Sequence, residues 1–240
     1  MTFQGRKTSL KNAALALAKS AILAPLALFL APFHANATTV PALEPLVSSE
    51  FVQALAHASD DARYAMRWVL EAQDNQGMPF VIVDKKGARI YVFEGNGQIR
   101  GMSPALLGLT PGDSDVAGIA YRQVASLGIG ERITPSGRFV SEPGRNLNGE
   151  AIVWFDYAAK LAIHRLRPAL PQERRAERLS SATPDDNRIS SGCVVVPESF
   201  YDAVISPVLG KSYAVVYVLP ETQPVQFMLR GLQSSQRQDQ

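Results

Sequence analysis

Phe80-Val81-Ile82-Val83-Asp84-Lys85-Lys86-Gly87-Ala88-Arg89-Ile90-Tyr91-Val92-Phe93 is two short apolar runs on either side of a turn. β-Branched and aromatic residues fit a pleated surface, and Lys85-Lys86-Gly87 supplies the break between them. Glu94-Gly95-Asn96-Gly97 then turns the chain into Gln98-Ile99-Arg100, so residues 80–100 predict a meander of short antiparallel strands. Downstream strand candidates are 152–155, 161–163, 193–196 and 213–219. The fold class is therefore mainly β with some α.

Upstream the pattern is helical. Ser59 suits an N-cap, Asp60 and Asp61 favour the positive end of a helix, and Tyr64, Met66, Trp68, Val69 and Leu70 follow. Residues 38–78 are read as an N-terminal helical segment and 79–220 as the main domain. Residues 102–148, rich in Gly, Pro, Ser and Asp, are read as long loops over a rigid scaffold. Residues 221–240 are read as a polar tail, because Gln233-Ser234-Ser235-Gln236-Arg237-Gln238-Asp239-Gln240 has nothing to pack.

The first 37 residues read as an export signal. Arg6, Lys7, Lys11 and Lys19 form a basic leader without an acidic residue. The apolar run 21–33 is short and broken by prolines, and Ala35-Asn36-Ala37 is a small-x-small cleavage site. The expected location is the periplasm or cell envelope, with no transmembrane segment left after cleavage. Of 24 Lys+Arg against 22 Asp+Glu, four basic residues leave with the signal, so the remaining 203 residues carry 20 against 22, a net charge of −2. That balance argues against a nucleic-acid partner.

One cysteine serves the whole chain, Cys193 in Ser190-Ser191-Gly192-Cys193-Val194-Val195-Val196. An exported protein with a single cysteine cannot use it for an internal disulfide, which leaves a buried small hydrophobe or a reactive thiol. The glycine before the sulfur admits a substrate, and the apolar run after it reads as a strand that holds the thiol rigidly. A cysteine nucleophile needs a base or a cationic neighbour. His34 lies in the leader, and His57, among Ala54, Leu55 and Ala56, reads as structural or surface. His164 ends the run Leu161-Ala162-Ile163, and two strands of one sheet can bring it to Cys193 across 29 positions. Two histidines and one cysteine are too few for a usual zinc site, and there is no HExxH, CxxC, GxSxG or GxxxxGK[ST]. No metal and no cofactor are expected.

Taken together, Ile163-His164, Ser190-Ser191-Gly192-Cys193-Val194, the hairpin 80–93 and Thr134-Pro135-Ser136-Gly137-Arg138-Phe139 resemble the signature of the L,D-transpeptidase catalytic-domain family, over about residues 79–219. The resemblance implies a β-sandwich-like catalytic domain of mixed sheets. It implies an exported acyltransferase acting on peptidoglycan stem peptides in cell-wall and cell-shape maintenance. Carried over by position, Cys193 is the nucleophile, His164 the base, and the backbone around Gly192 and Cys193 the oxyanion site. A monomer is expected. Two alternatives stay open: a catalytically inactive cell-wall-binding relative, and a peptidoglycan peptide hydrolase built on the same pair.

Three departures from the family pattern bear on the site. Ser191 stands where the family usually has a histidine, and Val195 where it often has an arginine that contacts substrate carboxylate. The segment between His164 and Cys193 is longer than the family's common spacing. Arg174, Arg175 and Arg178 within it read as a solvated outer face. Arg188 and Arg165 are the candidates to replace the missing arginine, with Ser190 and Ser191 as helpers beside the thiol.

Overall fold

A computed structural model describes residues 49–238. The leader and its cleavage site lie outside the described residues. Among the described residues no helix is long and apolar enough to cross a membrane.

The meander forms as expected: β1 (Phe80–Asp84), β2 (Arg89–Phe93) and β3 (Ile99–Pro104) pair antiparallel in sequence order. The remaining elements of the main sheet are β5 (Gly137–Arg145), β6 (Ala151–Asp156), β7 (Leu161–Arg165), β9 (Val194–Val196) and β10 (Ala214–Val218). They complete one eight-stranded mixed sheet in the order β3-β2-β1-β10-β5-β6-β7-β9. A separate parallel pair joins β4 (Leu107–Gly108) to β8 (Arg188–Ser190).

Side-chain alternation along the strands builds two cores. Val81, Val83, Val92 and Val216 face inward with Phe155, Ile163, Val194 and Val196, so both ends of the sheet share one interior in a sandwich-like curl. That interior is closed by a helical stretch, α4 (Glu198–Phe200), a π-turn at Tyr201–Ile205 and α5 (Ser206–Leu209), through Tyr201, Ile205 and Leu209. Phe80, Ile82, Tyr91 and Tyr217 point to the other face, covered by helices α1 (Ser49–His57) and α2 (Asp60–Ala72). Burial on both faces explains why β1 and β10 read as unbroken apolar runs. Ser59 caps α2 by accepting the Ala62 amide at 3.1 Å, and His57 is exposed at the end of α1.

Two expectations are corrected. Residues 102–148 are not all loop, because β5 runs through Gly137–Arg145. Its Gly137–Ser141 half pairs with β10 and its Glu142–Arg145 half with β6, so each half leaves one side without a ladder partner. That geometry tolerates Pro143 and a half-exposed composition, the features that hid the strand. Residues 225–238 form α6 (Val225–Gln238) instead of an unpacked tail, with Val225 and Leu229 buried against Met66 and Val69.

The segment between β7 and β9 holds α3 (Arg175–Leu179) and 3₁₀ turns at Pro171–Glu173 and Pro184–Asn187. Leu179 anchors it in a small core with Leu106 and Val195, packed by Leu166 and Ile189.

Candidate active site

β7 and β9 run side by side and parallel, with Ile163 opposite Val194 and His164 opposite Val195. Cys193 immediately precedes β9, and both residues open on the same two cavities, of about 540 and 440 Å³. The larger is apolar and aromatic on one wall, with Leu147, Ile152, Trp154 and Tyr157. The smaller runs under the segment after β7, past Leu170, Glu173, Arg175 and Ser191. Arg167 lines both.

His164 is 8 % exposed. Burial is the main reason its pKa falls to about 4, and the charges of Arg167 and Arg175 add to that; the Arg165 carbonyl and Glu150 oppose it. Its Nδ1 lies 2.8 Å from the Arg165 carbonyl oxygen. A carbonyl only accepts, so Nδ1 carries the proton and Nε2 is left as the acceptor. Burial pushes the Cys193 thiol up, opposed by the Ala162 amide and the charge of Arg167. The resting pair at neutral pH is therefore thiol and neutral imidazole, and a thiolate forms only as its proton moves to a base.

The turn that carries the sulfur is pinned on three sides. Ser190 Oγ accepts the Gly192 amide at 3.0 Å and donates to the Cys193 carbonyl at 2.6 Å. Thr134 Oγ1 donates to the Gly192 carbonyl at 2.9 Å. The sulfur itself lies 3.7 Å from the carbonyl oxygen of Lys160. Gly192 has φ +126°, and a Cβ there would stand 2.6 Å from the Ile133 carbonyl oxygen, so only glycine fits.

Of the two amides expected at the oxyanion position, that of Gly192 is taken up by Ser190. Ser190 is thus a backbone brace, buried at 4 % exposure, while Ser191 lines the smaller cavity beside the thiol. Arg188 is held by Glu221 and the Lys85 carbonyl, the latter at 2.9 Å. Arg165 bridges Asp202 at 2.6 Å and Glu150 at 3.3 Å, with its guanidinium 4.4 Å from the Tyr201 ring centroid. Neither arginine lines the two cavities that share Cys193.

The cations that do line them are Arg145, Lys160, Arg167 and Arg175. Arg175, expected on a solvated outer face, instead borders the smaller cavity, and the other three carry no expectation from the sequence. Lys160 adopts φ 60° and donates to the carbonyls of Ile119, Ala120 and Arg122 at 2.9–3.2 Å, tying that loop over the larger cavity. Arg167 follows His164 by three residues, a position visible in sequence once the strand end is fixed. Among the described residues no three His, Cys, Asp or Glu side chains gather as metal ligands.

No protein-family model and no curated protein matches the chain. Solved structures similar to it include an L,D-transpeptidase from Xylanimonas cellulosilytica, at 15% identity and TM-score 0.37 over 59% of this chain and 60% of that one. The helical cell shape determining protein Pgp2 from Campylobacter jejuni is 15% identical with TM-score 0.39, over 73% of this chain and 62% of that one. This chain thus spans under two thirds of either protein's length. Likeness at that level says nothing about chemistry, which has to come from the residues of the site.

Proposed function

We propose that this protein is an exported cysteine acyltransferase of the L,D-transpeptidase type, acting on peptidoglycan stem peptides. The observation that carries the reading is the shared cavity wall of Cys193 and His164, with the imidazole held in the tautomer that leaves Nε2 to accept a proton. The stem-peptide substrate comes from the sequence resemblance.

In the first half-reaction the Cys193 thiol gives its proton to His164 as sulfur attacks the carbonyl of the diaminopimelate residue. The charge that develops on the carbonyl oxygen is met by the Cys193 amide. Collapse breaks the peptide bond, and the terminal D-alanine amine leaves with the proton from His164. A thioester remains. In the second half-reaction an acceptor amine attacks the thioester and passes a proton to His164, and the sulfur leaves and regains that proton. Arg167, paired with Glu150 but facing both cavities, supplies the cation for substrate carboxylate that Arg188 and Arg165, which line neither cavity, do not.

The test is product analysis with a disaccharide-tetrapeptide, with and without an added amine. Released D-alanine together with a cross-linked or amine-exchanged product is expected. Released D-alanine with only the free tripeptide acid would make the protein a hydrolase, and unchanged substrate bound to the protein would make it a binding relative.

A further inference from the structure

Thr134 sits in the Thr-Pro-Ser-Gly stretch, 58 positions from Gly192, and both hydrogen-bonding roles of its hydroxyl are used. The oxygen accepts the Gly108 amide at 2.8 Å and donates to the Gly192 carbonyl at 2.9 Å. The residue is 1 % exposed. Its own carbonyl accepts from Lys85 Nζ at 2.9 Å. Lys85 is fully buried and also contacts the Gly112 carbonyl and, at 2.8 Å, Asp113. Asp113 in turn accepts the amides of Glu221 and Thr222, both at 2.8 Å. Thr134 is therefore fixed from behind by a buried polar network before it reaches the turn.

A trans peptide is planar, and its C=O and N–H point in opposite directions. Fixing the Gly192 carbonyl therefore fixes the direction of the Cys193 amide. Glycine has the widest freedom to rotate such a plane, and Gly192 has a φ of +126°. Something outside the turn must hold it.

We propose that Thr134 is a positioning residue for acyl transfer: its hydroxyl holds the Gly192 carbonyl so that the Cys193 amide meets the oxyanion, with Lys85 fixing Thr134 from behind. The inference rests on the acyl-transfer reading above and adds a residue to it.

Two reactions of the same sulfur separate this role from simple bracing. Alkylation of Cys193 by iodoacetamide is a displacement at carbon and builds no oxyanion. Acylation by a tetrapeptide donor does. For Thr134→Val, with folding checked by circular dichroism and both rates measured below its melting temperature, acylation should slow about 10- to 100-fold. Alkylation and the KM for donor should stay within about twofold of wild type, and Thr134→Ser should recover most of the acylation rate. Should Thr134→Val not fold, Thr134→Ala is expected to show the same split. Wild-type acylation in the variant that folds, or equal losses in acylation and alkylation, would overturn the proposal. A wild-type protein that is alkylated but never acylated would instead bring down the acyl-transfer reading, and this inference with it.

Discussion

Arg167 Nε lies 2.6 Å from a carboxylate oxygen of Glu150, and the other oxygen of that carboxylate is 3.3 Å from Arg165. One acid thus steers two arginines, of which Arg167 reaches the cavities that share Cys193 and Arg165 turns to Asp202. A cation so placed can take a substrate carboxylate while its partner keeps it from wandering.

Arg167→Ala should therefore raise KM for an anionic tetrapeptide about 10- to 100-fold, the worth of a charge-assisted hydrogen bond. Arg188→Ala should do something different. Its partner Glu221 is 9 % exposed in the side chain and keeps Lys85 at 3.3 Å and the Gly112 amide at 3.0 Å, so losing the arginine removes one charge-assisted contact and costs about 1–3 kcal/mol of stability. Steady-state kinetics and urea denaturation of the two variants separate the roles. A KM effect in Arg188→Ala and none in Arg167→Ala would reverse the assignment.

The depressed pKa of His164 has a kinetic and a thermodynamic consequence. If the neutral imidazole is the base, kcat/KM loses activity on the acid side near pH 4 instead of near 6.5. In stability, the unfolded chain binds a proton at His164 below about pH 6.5, and the folded protein only below about 4. Stability is full above pH 6.5 and falls as pH drops toward 4, by about 3 kcal/mol in total. His164→Gln should remove that part of the pH dependence and most of the activity. An acid limb at 6.5 would contradict the buried neutral imidazole.

Ser190→Ala removes the acceptor of the Gly192 amide and the donor to the Cys193 carbonyl together. Loss of two buried partners should cost about 1–3 kcal/mol and slow acylation, because the turn that carries the sulfur loosens. Thermal denaturation and pre-steady-state acylation read the two effects. A variant as stable and as fast as wild type would show that Ser190 is a bystander.

The hairpin 80–93 was legible because both faces of β1 and β2 are buried, which writes continuous apolar runs into the sequence. Ser59 announced α2 by a local rule, side-chain capping. The pair Cys193 and His164 stood out because reactive residue types are scarce in this chain. β5 stayed hidden because it changes partners at its midpoint and never alternates cleanly. α6 was masked by the polar residues of its far end, although Val225 and Leu229 lie one turn apart on a single face. The choice among arginines could not be read from proximity in sequence. Arg188 is near Cys193 along the chain but commits its guanidinium to Glu221, a residue 33 positions further on.

The central claim is a covalent thioester on Cys193, and intact-protein mass spectrometry after brief incubation with a disaccharide-tetrapeptide tests it most directly. The account predicts a mass increase equal to the donor less D-alanine, mapped to Cys193, released by hydroxylamine and missing in Cys193→Ala, which should fold normally and turn nothing over. Wild-type turnover by Cys193→Ala, or product formed by the native protein with no adduct on the sulfur at any time, would contradict it.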